Sequence, residues 1–150
     1  ILATKIQRIA FRLKASAIAA NQILVFGLAS AQADAADDVA YHAWFRLEAD
    51  TDIMVETDDG ATDDDDNDTG VDLAAATYKE FVIDFTNGLS DVRFYVTDAG
   101  GDLKRVLANT TFSLAGAAAQ YLQPFVQLQK ASGTTTPYCT IDWIDIEYKR

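Results

Sequence analysis

Apolar residues recur at every second position through most of this chain, a period that fits half-buried β-strands rather than amphipathic helices. Ile9, Phe11, Leu13 and Ala15 alternate with a basic set, Arg8, Arg12 and Lys14, so the first strand is expected to carry a basic outer face. Ile23 to Leu28 is apolar at almost every position and reads as a strand covered on both faces. Tyr41, Ala43, Phe45 and Leu47 alternate with His42, Trp44, Arg46 and Glu48, and Ile53 and Val55 continue into a short strand. Phe81, Ile83 and Phe85 share one phase, as do Val92, Phe94 and Val96. Asp98 to Asp102 has the glycines of a hairpin loop, and Leu103 to Leu107 is the expected returning strand. Val126 and Leu128 lie opposite Phe125, Gln127 and Gln129. Cys139 to Tyr148 closes the chain, but its parity changes. Ile141 and Trp143 share one phase, while Ile144, Ile146 and Tyr148 share the other. A bulge near Asp142 to Ile144 reconciles the two, and burial on both faces is the alternative.

About eight strands emerge, with no long amphipathic helix and at most one helical turn at Ala115 to Gln120. This many antiparallel strands are accommodated by a two-sheet jelly-roll sandwich. With 150 residues and no clear linker, a single domain spanning 1–150 is expected. No apolar run approaches the ~18 residues that cross a bilayer as a helix. The small apolar run Ala15 to Ala20 sits in a strand-like pattern and is read as structure, not as part of a signal peptide. The chain begins at Ile1 rather than Met, so a preceding N-terminal segment is expected.

Charge is unevenly placed. From Asp34 to Asp72 fifteen acids face one base, Arg46, a local net of −14 within an overall −11. Such a region repels nucleic acid and anionic lipid and attracts cations or basic protein surfaces. Its densest part, Thr57 to Gly70, invites comparison with calcium loops, because calcium takes six to eight hard oxygen ligands. The EF-hand spacing fails, since Ala75 stands where a bidentate Glu is needed. A solvated acidic hairpin loop is expected, with a looser calcium site at Asp63, Asp64, Asp66 and Asp68 as the alternative. No other cofactor is implied.

Catalytic patterns fail for want of partners. The single cysteine, Cys139, forms no intrachain disulfide and reads as a small buried strand residue. His42 is the only histidine and has no metal-ligand spacing or triad around it. Glu48-Ala-Asp50-Thr-Asp52 resembles the spacing of a jelly-roll family of endo-glucanases, but Thr51-Asp52 reads as a turn. Glycosidases also need two carboxyls across a sugar cleft, which nothing else here supports. Trp44, Tyr95, Tyr121, Phe125, Tyr138 and Trp143 are read mainly as core or subunit-interface residues, with a sugar platform as the alternative. Gln127 and Gln129 beside Phe125 form the best polar-aromatic stripe for a groove or interface.

Six segments then occur in a telling order: Phe26-Gly-Leu-Ala-Ser-Ala31, Val55-Glu-Thr-Asp-Asp-Gly60, Phe81-Val-Ile-Asp-Phe85, Val92-Arg-Phe-Tyr-Val96, Leu122 to Lys130 and Ile141-Asp-Trp-Ile144. This order resembles concanavalin-like jelly-roll virion proteins of tailed bacteriophages, of the capsid decoration or cement type. The resemblance implies a non-enzymatic protein on the outer capsid surface that binds the major capsid protein and copies of itself as a trimer. On that reading, basic Arg8, Arg12 and Lys14 are expected to meet an acidic capsid surface, and the acidic loop points outward or toward a neighbour. A glycan-binding module of a fibre or tail, using Trp44 and Tyr121, is the alternative.

Overall fold

A computed structural model describes residues 1–150. It is an all-β antiparallel jelly-roll sandwich of the concanavalin-like kind. One sheet contains β10 (Cys139–Tyr148), β1 (Ile6–Ala15), β6 (Lys79–Asp84), β7 (Arg93–Thr97) and β8 (Leu103–Arg105), in that order. The other contains β5 (Asp63–Asp72), β4 (Asp52–Asp58), β3 (His42–Glu48), β2 (Gln22–Ala29) and β9 (Gln123–Lys130). Short 3₁₀ turns occupy Ala3–Lys5, Ala36–Asp38 and Ala115–Ala117. No helix is long and apolar enough to cross a membrane.

The alternating residues meet between the sheets. Ile9, Phe11, Leu13 and Ala15 of β1 are buried with Leu24, Phe26 and Leu28 of β2 and Phe45 and Leu47 of β3. Phenylalanines join the layers. Phe26 meets Phe11 and Phe81 edge-on at 5.7 and 4.7 Å and stacks on Phe45 at 5.4 Å. Phe45 meets Phe94 at 5.3 Å, and Phe94 meets Phe112 at 5.2 Å. Edge-to-face pairs each add about 0.5–1.5 kcal/mol beyond burial, so this chain of rings fixes how the sheets sit on each other.

β2 is covered on its second face too. Val25 and Ala29 pack there with Ala36, Val39, Trp44 and Phe125. Gly27 lies opposite both Trp44 on β3 and Phe125 on β9, and those rings stack at 5.8 Å. A Cβ at Gly27 would collide with the Ala43 carbonyl and the Trp44 backbone. Glycine at this position therefore lets two aromatic side chains close over the middle strand.

Three expectations change in detail. The chain forms ten strands, because the acidic stretch is not a loop: Asp63 to Asp72 is β5, paired with β4. At an edge its carboxylates project into water, while β4 satisfies one side of its backbone and Thr69 Oγ1 donates to the Ile53 carbonyl at 2.6 Å. The strand after the 98–102 hairpin stops at Arg105, and Leu107 takes a positive φ of 49°. β1 ends at Ala15, so only the first residue of the small apolar run lies in a strand. The parity change in β10 is a bulge: Arg12 pairs with Trp143 and Leu13 with Ile141, which leaves Asp142 extra.

Gly27→Ala is expected to lower stability by about 1–3 kcal/mol in urea unfolding, as overpacking does. An unchanged midpoint would mean that Trp44 and Phe125 do not close over β2.

Candidate functional site

The outer face of the β2–β3–β4 region carries the densest polar chemistry. Pairing sets Trp44 opposite Glu56, and strand alternation places His42 and Arg46 on the same face as Trp44. Trp44 Nε1 donates to Glu56 Oε2 at 2.6 Å. The Arg46 guanidinium donates to Glu48 at 2.6 and 3.0 Å and to Asp37 at 2.5 Å, and lies 3.4 Å from Glu56 Oε1. His42 stacks on Trp44 at 3.6 Å, and its Nδ1 is 2.8 Å from the Val39 carbonyl. Burial pushes the Glu56 carboxyl up to about 7, with Asp66 adding to the rise and Trp44 and Arg46 opposing it. Burial likewise pulls His42 below its ordinary value. For Arg46 burial opposes the charge, but Asp37, Glu56 and Glu48 more than offset it and hold the guanidinium protonated.

A roof closes this face. Gln127 Nε2 donates to the Ala33 carbonyl at 3.1 Å. Gln129 Nε2 donates to the Asp34 carbonyl at 2.5 Å, and its Oε1 accepts from the Ala36 amide at 3.1 Å. The proposed sugar platform is thereby corrected: Trp44 is fully buried and Phe125 nearly so. Gln127 and Gln129 do share a face with Phe125, but they tether the roof. Beside them a groove of about 590 Å³ runs between the roof and β9. Its lining includes Gln32, Asp34, Glu48 and Lys130, and no aromatic residue.

The basic strand is placed as expected but is not free. Arg8 pairs with Asp145 and Glu147 of β10 at 3.1 and 3.0 Å. Arg12 pairs with Asp142 and lies over the Tyr78 ring, as does Lys14 Nζ. A basic face offered to an acidic surface is corrected to a face neutralised from within. The calcium alternative is also recast. Asp63, Asp64, Asp66 and Asp68 lie along β5, where a register shift and a φ of 52° at Asp66 splay them. No group of three or more His, Cys, Asp or Glu side chains is arranged to hold a metal ion. The acids do repel: burial, then Asp65, Asp58 and Asp64, push Asp63 up to about 6. Asp50 is the main cause of a raised Asp52, in the turn that Glu48 to Asp52 forms. Cys139 is half-buried on β10, and burial pushes its thiol up to about 11, away from nucleophilic use.

Exposed apolar side chains gather elsewhere, on β10. Ile141 and Ile144 are each 40% exposed, Trp143 37% and Tyr148 53%, and Tyr138 precedes them. This ten-residue strand pairs with β1 on one side only, so the backbone groups of its alternate residues on the other side are open. Ile141 and Ile144 sit opposite Leu13 and Phe11, so they face the sandwich interior and still reach solvent. The sequence pattern marks Trp143 as a candidate aromatic but does not single out Ile141, Ile144 and Tyr148 as surface residues. Their signal was present as apolar residues in both phases of one strand. Tyr121, 72% exposed, lies apart, bridged to Leu2.

Comparison with known proteins gives the fold alone. No protein-family model matches the chain, and no curated protein matches it. Among solved structures, a protein of unknown function from Shewanella oneidensis MR-1 aligns over 97% of this chain at TM-score 0.64 and 13% identity. The chain spans 59% of that protein's length. Ancestral congerin aligns over 96% of this chain and 93% of its own, at TM-score 0.50 and 12% identity.

Glu56 has a folded-state value near 7 against an ordinary 4.5, so it stabilises the fold below about pH 4.5 and loses that contribution as pH rises through 7. His42, whose proton affinity burial lowers, acts in the opposite sense as pH falls through its ordinary 6.5. Glu56→Gln keeps an acceptor for Trp44 and removes the first effect only. Relative to wild type, the variant is expected to gain on the order of 2 kcal/mol on going from pH 5 to pH 8 in urea unfolding. A difference independent of pH would contradict the buried, proton-holding carboxyl.

Proposed function

We propose that the chain is a non-enzymatic assembly protein that works by docking through the open β10 edge. The observation that carries this reading is the coincidence of a ten-residue edge strand, open along one side, with the largest concentration of exposed apolar side chains. An exposed edge strand is a template for another strand, and natural folds usually blunt it. The polar cluster around Trp44 supports the same reading, since Arg46 is spent on tying the roof through Asp37 and the buried Glu56 on accepting from Trp44.

The finer reading is a decoration protein on the outer head of a tailed phage, bound to the major capsid protein. It rests on the ordered sequence segments alone. A rigid sandwich with one adhesive edge suits that role. The glycan reading loses Trp44 and Phe125 to the interior, and its exposed aromatics, Tyr121, Tyr138 and Trp143, lie outside the polar groove.

Mass spectrometry of particles purified from cells that encode the chain tests the phage reading. The chain is expected at a fixed copy number relative to the major capsid protein, and its absence from washed particles rejects the assignment. On a glycan array the isolated protein is expected to bind nothing specifically. Specific binding lost on changing Asp34 or Lys130 in the groove would favour the glycan reading instead.

A further inference from the structure

Three of the four sheet edges carry their own protection. β8 has only three residues, and β5 is lined with carboxylates. β9 contains Pro124, which has no N–H, and lies under the roof segment. β10 has a bulge, but it is confined to Asp142, and the carboxylates Asp145 and Glu147 are held by Arg8. A second register shift lies opposite Glu147 and Tyr148, but its extra residue is Gln7 of β1, so from Trp143 onward β10 itself carries no extra residue.

Its hydrogen-bonding direction follows from one bond. The Lys149 amide donates to the Lys5 carbonyl at 2.7 Å, so Lys149, Glu147, Asp145 and Trp143 turn their backbone groups toward β1. Ile144, Ile146 and Tyr148 then turn theirs to the open side. We propose that β10 pairs antiparallel with β10 of a second copy about a two-fold axis at Ile146, joining two five-stranded sheets into one of ten strands. This rests on the docking edge proposed above and names its partner.

Complementarity selects both partner and register. With Ile146 facing its own copy, Ile144 faces Tyr148 on the inner side, so half-exposed apolar groups cover one another. On the outer side Trp143 faces Lys149, a cation and an aromatic face. Asp145 faces Glu147, and the Arg8 of each copy, which donates to both, offsets half of the carboxylate charge brought together there. The ladder runs from 143 to 149, clear of the Asp142 bulge of each copy, and the three outward-facing residues of each copy bond reciprocally. Moving the axis to Asp145 sets that carboxylate against itself, and moving it to Ile144 drives the Asp142 bulge into Ile146. The two-fold contact is isologous and closes, so it yields a dimer and not a fibre. Its symmetry differs from the trimer that the sequence resemblance implies.

Sedimentation of the unmodified protein and cysteine cross-linking test the pairing together. The expected mass is twice 16.3 kDa at high micromolar concentration. In a Cys139→Ser background, Ile146→Cys is expected to oxidise to a covalent dimer roughly tenfold faster than Ile144→Cys or Asp145→Cys, because cross-strand Cα spacing at the axis suits a disulfide. A monomer at every concentration overturns the pairing, and faster linking at 144 or 145 overturns the register. A monomer still found on particles leaves the assembly reading standing. A dimer absent from particles removes the phage reading alone.

Discussion

Phe26 is the contact on which the rest of the structure depends. Its ring touches Phe11 and Phe81 of the facing sheet and Phe45 of its own, so it locks the two layers at their centre. Dense aromatic packing of this kind leaves little freedom for the sheets to slide. Because β2 lies between β3 and β9, fixing Phe26 on the inner side also fixes Val25, Gly27 and Ala29 on the outer side. The outer face is then set: Trp44 closes over Gly27 onto Phe125, Glu56 accepts from Trp44, and Arg46 draws in Asp37 from the roof.

Buried charge in that outer layer has a definite cost. Stripping the partners from a buried charge such as the Arg46 guanidinium costs about 3–5 kcal/mol, because it is left uncompensated. Arg46 is 6% exposed and Glu56 1%, while Asp37 and Glu48 remain partly in water. The cluster therefore orients the roof rather than supplying bulk stability, and its carboxyl holds a proton where an exposed one would not. Asp66 of β5 reinforces this, since its carboxylate makes ionisation of Glu56 less favourable.

Much of the fold was legible because period-two alternation has one physical meaning on a sheet with one buried face. β1, β6 and β7 followed it closely, and the Asp142 bulge was visible as a change of phase. Legibility failed where burial is decided by another part of the chain. Trp44 and Phe125 alternate with core residues and so read as outward-facing, yet Gln127 and Gln129 hold a roof over them. No local pattern records that tether. β5 was misread because carboxylate runs disfavour most strands, but an edge strand keeps its side chains in water. Arg8 and Arg12 read as a free basic face because Asp142, Asp145 and Glu147, 130 or more residues away in sequence, are their neighbours only in the sheet.

β10 joins the core and the exterior, since Ile146 packs on the core while Ile144 and Tyr148 reach solvent beside it. An edge that continues the core outward is stabilised by whatever strand completes it. Amide hydrogen exchange followed residue by residue, from dilute to concentrated protein, measures this most directly. The expected result is concentration-dependent protection at the Ile144, Ile146 and Tyr148 amides, with Asp145 and Glu147 protected throughout by β1. Rapid exchange of Ile144, Ile146 and Tyr148 at every concentration, or new protection confined to β9 and the roof, would contradict β10 as the working surface.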